Sequence, residues 1–282
     1  MPSIPDSEII ELTLELNDGT IQIEEINKDI TELNLDDLGI KRINGLSQLT
    51  NLKHLNCMDN NIQELDFINL SGLESLWISN NNITELNLLG LYNLESLWVS
   101  NNNIIELNLL GLHNLKELVC NSNNILELNL SNQKDLKELE CNNNNICEAG
   151  LNLSNQKDLT ILDCDNNNIT ELIGLDLNLN LEILHCENNN INSLNINNLI
   201  NLTTLSCENN NITELSVYTN TKLERLYCSC DINNIIGLSE LNNLLILKCV
   251  NPTLNIDKPS SLEILCDINL SGFTEMQENN LI

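Results

Sequence analysis

The sequence predicts a solenoid: a curved stack of short coils with a parallel β-sheet on the concave face and short strands, turns or 3-10 segments on the convex face. Three observations carry this. The segment LESLWISNNNITELNLLG at Leu73 is followed, 21 residues on, by LESLWVSNNNIIELNLLG at Leu94. The same leucine spacing recurs from Leu52, Leu73, Leu94, Leu115, Leu136, Leu159, Leu181, Leu202, Leu223 and Leu244. Asparagine and cysteine occupy fixed places within it. A 282-residue chain could hold two ordinary domains, but a solenoid grows by adding coils and has no single core to limit it.

Taken in chain order, residues 1–29 read as an N-terminal cap. ELTLELNDGTIQIEEI alternates on both sides of Asp18-Gly19, a two-residue hairpin signal. Pairing Leu16 with Ile21 and Leu14 with Ile23 places four apolar side chains on one face, which would close the end of the stack. Residues 30–261 form about eleven coils. The phrase LxxLxCxxNxIxxLxLxxLxx matches the leucine-rich repeat signature. Around its fourth residue the alternation has period two, so Leu76 and Ile78 point inward while Ser75, Trp77 and Ser79 point outward. Each coil thus adds one strand to a parallel sheet, about 4.8 Å from the next.

The ninth residue is asparagine at Asn60, Asn81, Asn102, Asn123, Asn144, Asn167, Asn189 and Asn210. Where the chain leaves the sheet its backbone groups lose partners, and a primary amide can satisfy them from inside. The sixth residue is cysteine at Cys57, Cys120, Cys141, Cys164, Cys186, Cys207, Cys228 and Cys249. Parallel strands hold these thiols too far apart and too nearly parallel for a disulfide or a tetrahedral zinc site, so they read as reduced core residues. Cys147, Cys230 and Cys266 fall outside the column and are the expected reactive thiols. The coil at Leu136 carries an insertion at residues 147–150, expected to bulge. The pattern falters at Asp231 and again at Pro252. Residues 262–282, with Phe273, read as the C-terminal cap. The whole is expected to be a single structural domain and a monomer.

Forty-one acidic residues against twelve basic ones give a formal charge of −29, which repels phosphate backbones and argues against nucleic acid. No apolar run reaches the ~18 residues of a membrane span, so no membrane partner is expected. The first ten residues have neither a basic nor an apolar signal region, so the expectation is a cytoplasmic protein, or one exported without a recognisable signal.

The residues that vary at the fifth position and its neighbours mark the surface available for function. Trp77 and Trp98 lie side by side in a chain with 2% aromatic residues, and tryptophan is enriched in interface hot spots. Val119 follows. Next comes an acidic run that includes Glu138, Glu140, Asp163, Asp165, Glu187 and Glu208, where a basic partner or a bound cation would relieve repulsion between neighbouring rungs. His185, Arg225 and Tyr227 complete the face. These residues form the expected binding surface for a protein partner, expected to be basic. The alternatives are an inhibitor of a basic enzyme, and a divalent-cation site at Asp165, Glu187 and Glu208. His54, His113 and His185 are the only histidines, and no nucleophile with a base and an orienting group is legible around them. No enzyme activity, cofactor or metal is therefore expected.

ITELNLDDLGIKRINGLSQLTNLKHLNCMDNNIQEL, residues 30–65, resembles the opening of the repeat region in bacterial internalins. The 21-residue phrase with cysteine at its sixth position is similar to their cysteine-containing subclass. The resemblance implies a concave face that binds host or partner proteins, and it adds an adhesion-type surface protein to the alternatives.

Overall fold

The computed structural model describes residues 8–147, 151–231, 234–250 and 263–266. Twelve strands lie side by side in chain order, parallel throughout, from Glu32–Asn34 to Glu263–Cys266. Most are only three residues long, such as Ser75–Trp77 and Ser96–Trp98. Their central leucines stack in register, Leu76 opposite Leu97 and Leu97 opposite Leu118, and all three are fully buried. A coil alone could not shield these side chains, so burial arises only when neighbours stack.

Two side-chain columns explain the repeated asparagines. The eighth residue, represented by Asp59, Asn80, Asn101, Ser122 and Asn143, has φ between +52° and +58°. Short polar side chains tolerate this left-handed turn better than branched ones. The ninth residue then points inward. Asn81 donates from Nδ2 to the carbonyls of Cys57 and Ile78 at 2.9 and 3.1 Å, and its Oδ1 accepts the Ile62 N–H at 2.9 Å. Asn102 repeats this with Ile78, Val99 and Ile83. The same contacts recur through Asn210, which reaches Cys186 and Ile191.

The sixth residues, Cys57, Ile78, Val99, Cys120, Cys141 and onward to Cys249, are all buried. No disulfide joins the ten cysteines whose side chains are described. Burial pushes the Cys120 thiol up to about 12. Cys147 is half-exposed as expected, but Cys230 is buried, a correction to its reading as a reactive thiol. The strand Arg225–Asp231 runs on past the point where other coils turn, and its alternation sends Cys228 and Cys230 both inward. The side chain of Cys266, residues 148–150 of the insertion, Pro252, Phe273 and most of the expected C-terminal cap lie outside the described residues.

On the convex side short parallel strands pair, Leu151–Asn152 with Leu172–Ile173 and Leu215–Ser216 with Ile235–Ile236. Three 3-10 segments, at Leu46–Gln48, Leu175–Leu177 and Leu238–Glu240, each follow a glycine of positive φ. A Cβ on Gly174 would lie 2.4 Å from Ser154 Oγ and 2.7 Å from its Cα, so glycine is required there for space as well as for φ. A second amide column lies beneath this face: Gln133, Gln156, Asn178 and Asn220 are buried and donate to carbonyls of the preceding coil, Gln133 to Leu109 at 2.9 Å and Asn220 to Ile196 at 3.0 Å.

At the N-terminal end Ile9–Leu16 and Ile21–Asn27 pair antiparallel, but not in the expected register. Gly19 takes φ +85° and the Leu16 N–H bonds the Thr20 carbonyl at 2.9 Å, so the connection is three residues long. Pairing slips by one: Glu15 opposes Ile21 and Leu14 opposes Gln22. Leu12 and Leu14 enter the core, while Ile21 and Ile23 are more than half exposed. The other edge of Ile9–Leu16 pairs with Ile40–Asn44 of the first coil.

Candidate functional site: the concave face

The parallel register places Asn56, Trp77, Trp98, Val119 and Glu140 in one row, continued by Asp163, His185, Ser206, Tyr227 and Lys248. Trp77 and Trp98 pack on each other, with centroids 5.7 Å apart and planes at 43°. Both rings are half-buried rather than freely exposed, because each leans on its neighbour along the row. Trp77 Nε1 donates to Ser96 Oγ at 3.3 Å, and Ser96 Oγ donates to Glu117 at 2.8 Å. Trp98 Nε1 is buried without an acceptor.

The carboxylates differ in how they are held. Asp163 Oδ1 accepts the Asp165 N–H at 3.2 Å, and Asp165 Oδ1 accepts the Glu187 N–H at 2.5 Å. Glu187 accepts from the Ser206 hydroxyl. Glu208 is buried and paired with Lys248 Nζ at 2.8 Å, so the repulsion expected along Asp165, Glu187 and Glu208 is already relieved at one end. That pairing crosses an intervening coil, and the spacing of the repeat gave no sign of it. Burial, then Glu138 and Asp163, push the Glu140 carboxyl up. Burial raises Asp163. Burial and Asp163 push Asp165 up to about 7. Glu138 is half-buried beside Glu117 and Ile161 in the next row. Val119 and Tyr227 are half-buried and Arg225 is exposed.

The residues that could share a metal ion are not the three expected. Asp163, Asp165 and His185 bring one ligand atom each within 4.8 Å of one another; Glu208 is engaged by Lys248 instead. His54 Nδ1 lies 3.1 Å from Ser75 Oγ, a pair the sequence reading missed, although the two residues hold the same position in successive coils. The neighbouring carboxylate, Glu74, is held by Lys53 at 2.7 Å.

Comparison with known proteins supports the leucine-rich repeat fold. Residues 50–91 match the family model described as leucine-rich repeats in two copies. No curated protein matches the sequence. Among solved structures, the functional domain of InlJ from Listeria monocytogenes, which includes a cysteine ladder, is 26% identical. It aligns with a TM-score of 0.61 over 80% of this chain and 59% of its own length. The column from Cys57 to Cys249, interrupted by Ile78 and Val99, likewise stacks buried cysteines. The chain resembles the internalins in its leucine-rich repeat fold. An internalin, inlF, of the same organism is also 26% identical, with a TM-score of 0.66 over 81% of this chain and 78% of that one. A leucine-rich repeat protein of Leptospira interrogans is 25% identical, with a TM-score of 0.62 over 72% and 62%. The internalin-like chain therefore spans about three fifths of the InlJ structure. Its family match points to protein interaction and indicates no catalytic family. Among the described residues no helix is long and apolar enough to cross a membrane.

Proposed function

We propose that this internalin-like chain is a non-enzymatic interaction module whose concave face seats a basic segment of a protein partner. Trp77 and Trp98 anchor the segment, and Glu138, Glu140, Asp163 and Asp165 steer it. The observation that carries the reading is the juxtaposition, in one register-locked row, of the packed indole pair and a half-buried acidic stretch whose members raise one another's affinity for protons. A cationic side chain entering there would relieve the repulsion among the carboxylates, and aromatic anchors beside a charged rim are the usual anatomy of a hot spot.

The test is affinity capture with the native chain, the Trp77→Ala, Trp98→Ala variant and the Glu140→Gln, Asp163→Asn variant, each checked by circular dichroism. A partner retained by the native chain, weakened by both variants and released by rising salt supports the reading. Retention indifferent to both pairs of changes removes it. Inhibition of a basic enzyme is the same mode of binding with a catalytic partner, and loss of that enzyme's activity on titration would identify it.

A second reading rests on the convergence of Asp163, Asp165 and His185. Mixed oxygen and imidazole donors suit a transition-type divalent ion better than calcium. A rise in melting temperature with Zn²⁺ or Mn²⁺, abolished in His185→Ala, supports it; unchanged melting excludes it.

A further inference from the structure

We infer that the convex face of the coils starting at Leu52, Leu73, Leu94 and Leu115 is a second docking surface, built for a cationic amphipathic helix of a partner protein. It does not depend on the concave reading. Beyond the turn the chain again alternates. Leu86 and Leu88 are buried, while Glu85, Asn87 and Leu89 face out. Repetition turns the outward residues into columns: glutamate at Glu64, Glu85, Glu106 and Glu127, and a large apolar side chain at Ile68, Leu89 and Leu110. Those three are 62%, 71% and 65% exposed, and Ile105 and Leu126 flank the glutamates on the other side, each 51% exposed.

Nothing in the fold needs apolar residues there. The inward places in these coils are already filled by buried leucines, and the equivalent outward residue is Ser131 in the coil at Leu115 and Asn197 in the coil at Leu181. The stripe borders a groove of about 910 Å³ that continues into another of about 540 Å³, with Ile105, Glu106 and Leu110 walling both. A contiguous apolar patch with a polar border is the usual mark of a contact surface.

Charge selects the occupant. Glu64 is 3.5 Å from Arg42, whereas Glu85, Glu106 and Glu127 have no ion-pair partner among the described residues. A second copy of this chain, itself of charge −29, would bring like columns together, so the complement must be cationic. Spacing selects its conformation. Coils repeat at about 4.8 Å, nearer the ~5.4 Å pitch of an α-helix than any strand repeat. One face of an extended strand repeats at roughly 6.6 Å and would fall out of step within two coils. A helix lying along the stack thus sets one apolar residue per turn against Ile68, Leu89 and Leu110, with lysine or arginine over the glutamates.

The probe is a fluorescent leucine–lysine peptide of about 18 residues, ~27 Å as a helix, compared with a scrambled peptide of the same composition that has no apolar stripe. Anisotropy titrations of the native chain should show the striped peptide binding about tenfold tighter, a difference of ~1.4 kcal/mol. Leu89→Ser with Leu110→Ser should erase that difference, since both side chains are exposed and the fold stands without them. Trp77→Ala with Trp98→Ala should leave it intact. Equal binding of the two peptides overturns the proposal, as does full preference in the serine variant or loss only in the tryptophan variant. A dimer of the native chain that the serine variant abolishes in sedimentation would assign the face to a second copy instead.

Discussion

Asn102 satisfies backbone groups on two coils at once, the Ile83 N–H and the carbonyls of Ile78 and Val99. Asn102→Leu should therefore cost about 1–3 kcal/mol in urea unfolding, because the stranded groups cannot reach water. Gln133→Leu should cost much less, although Gln133 is as deeply buried. Its Oε1 has no partner, and the coils before it carry Leu91 and Leu112 at the same place. The ninth column was legible in the sequence because it never varies over eight coils. The second amide column was not, because glutamine, asparagine and leucine alternate there and the eye reads drift. Asp165 shows a different limit. Its carboxyl rises from 3.8 to about 7 through burial and Asp163, neither of which a repeat count reveals. The folded chain holds that proton more tightly than the unfolded one. The stability it contributes is present below pH 3.8 and lost as pH rises through 7. Urea melts near about pH 5 and about pH 8 should thus differ in favour of the acid side, and Asp165→Asn should narrow the gap.

Among the elements, the three-residue strands carry both the core and the candidate site, and alternation decides which side chain serves which. Trp77 and Leu76 are adjacent, yet one lines the face and the other is fully buried. This much followed from period two. The failure at the hairpin shows where periodicity stops being enough: Asp18-Gly19 marked the turn, but whether the loop holds two residues or three sets the register, and one residue sends Ile21 and Ile23 to the opposite face. The thiol column offers a test at this scale. In the native chain Cys147 should react with a maleimide far faster than Cys120, Cys141 or Cys164, whose thiols are buried and held protonated. Mass spectrometry after brief labelling should find one modified site among these four, and all four after urea.

For the whole molecule, stability is a sum over coils and the interfaces between them. Deleting residues 94–114, one complete 21-residue unit, should leave a folded chain with a modestly lower melting temperature, since Leu115 then follows where Leu94 stood. Deleting residues 94–104 should break the stack, because every later strand would enter out of phase. Circular dichroism and thermal melts distinguish the two. The same additivity explains why the arc was legible from the phrase while the partner was not: the invariant residues build the coil, and only the outward residues differ along it.

Both amide columns reach backward. Asn81 bonds Cys57 and Ile62, Asn144 bonds Cys120 and Ile125, and Gln156 bonds Leu130, each in the coil before its own. A coil leaving the ribosome is therefore unfinished until its successor has been translated, and the growing end always carries the open backbone groups. Assembly proceeds in the order of synthesis, each addition sealing the one before. Trimming the array from its start opens edge groups such as the Glu74 N–H that bonds the Lys53 carbonyl, whereas trimming it from its end also exposes the turn groups, such as the Ile62 N–H, that the next asparagine would have closed.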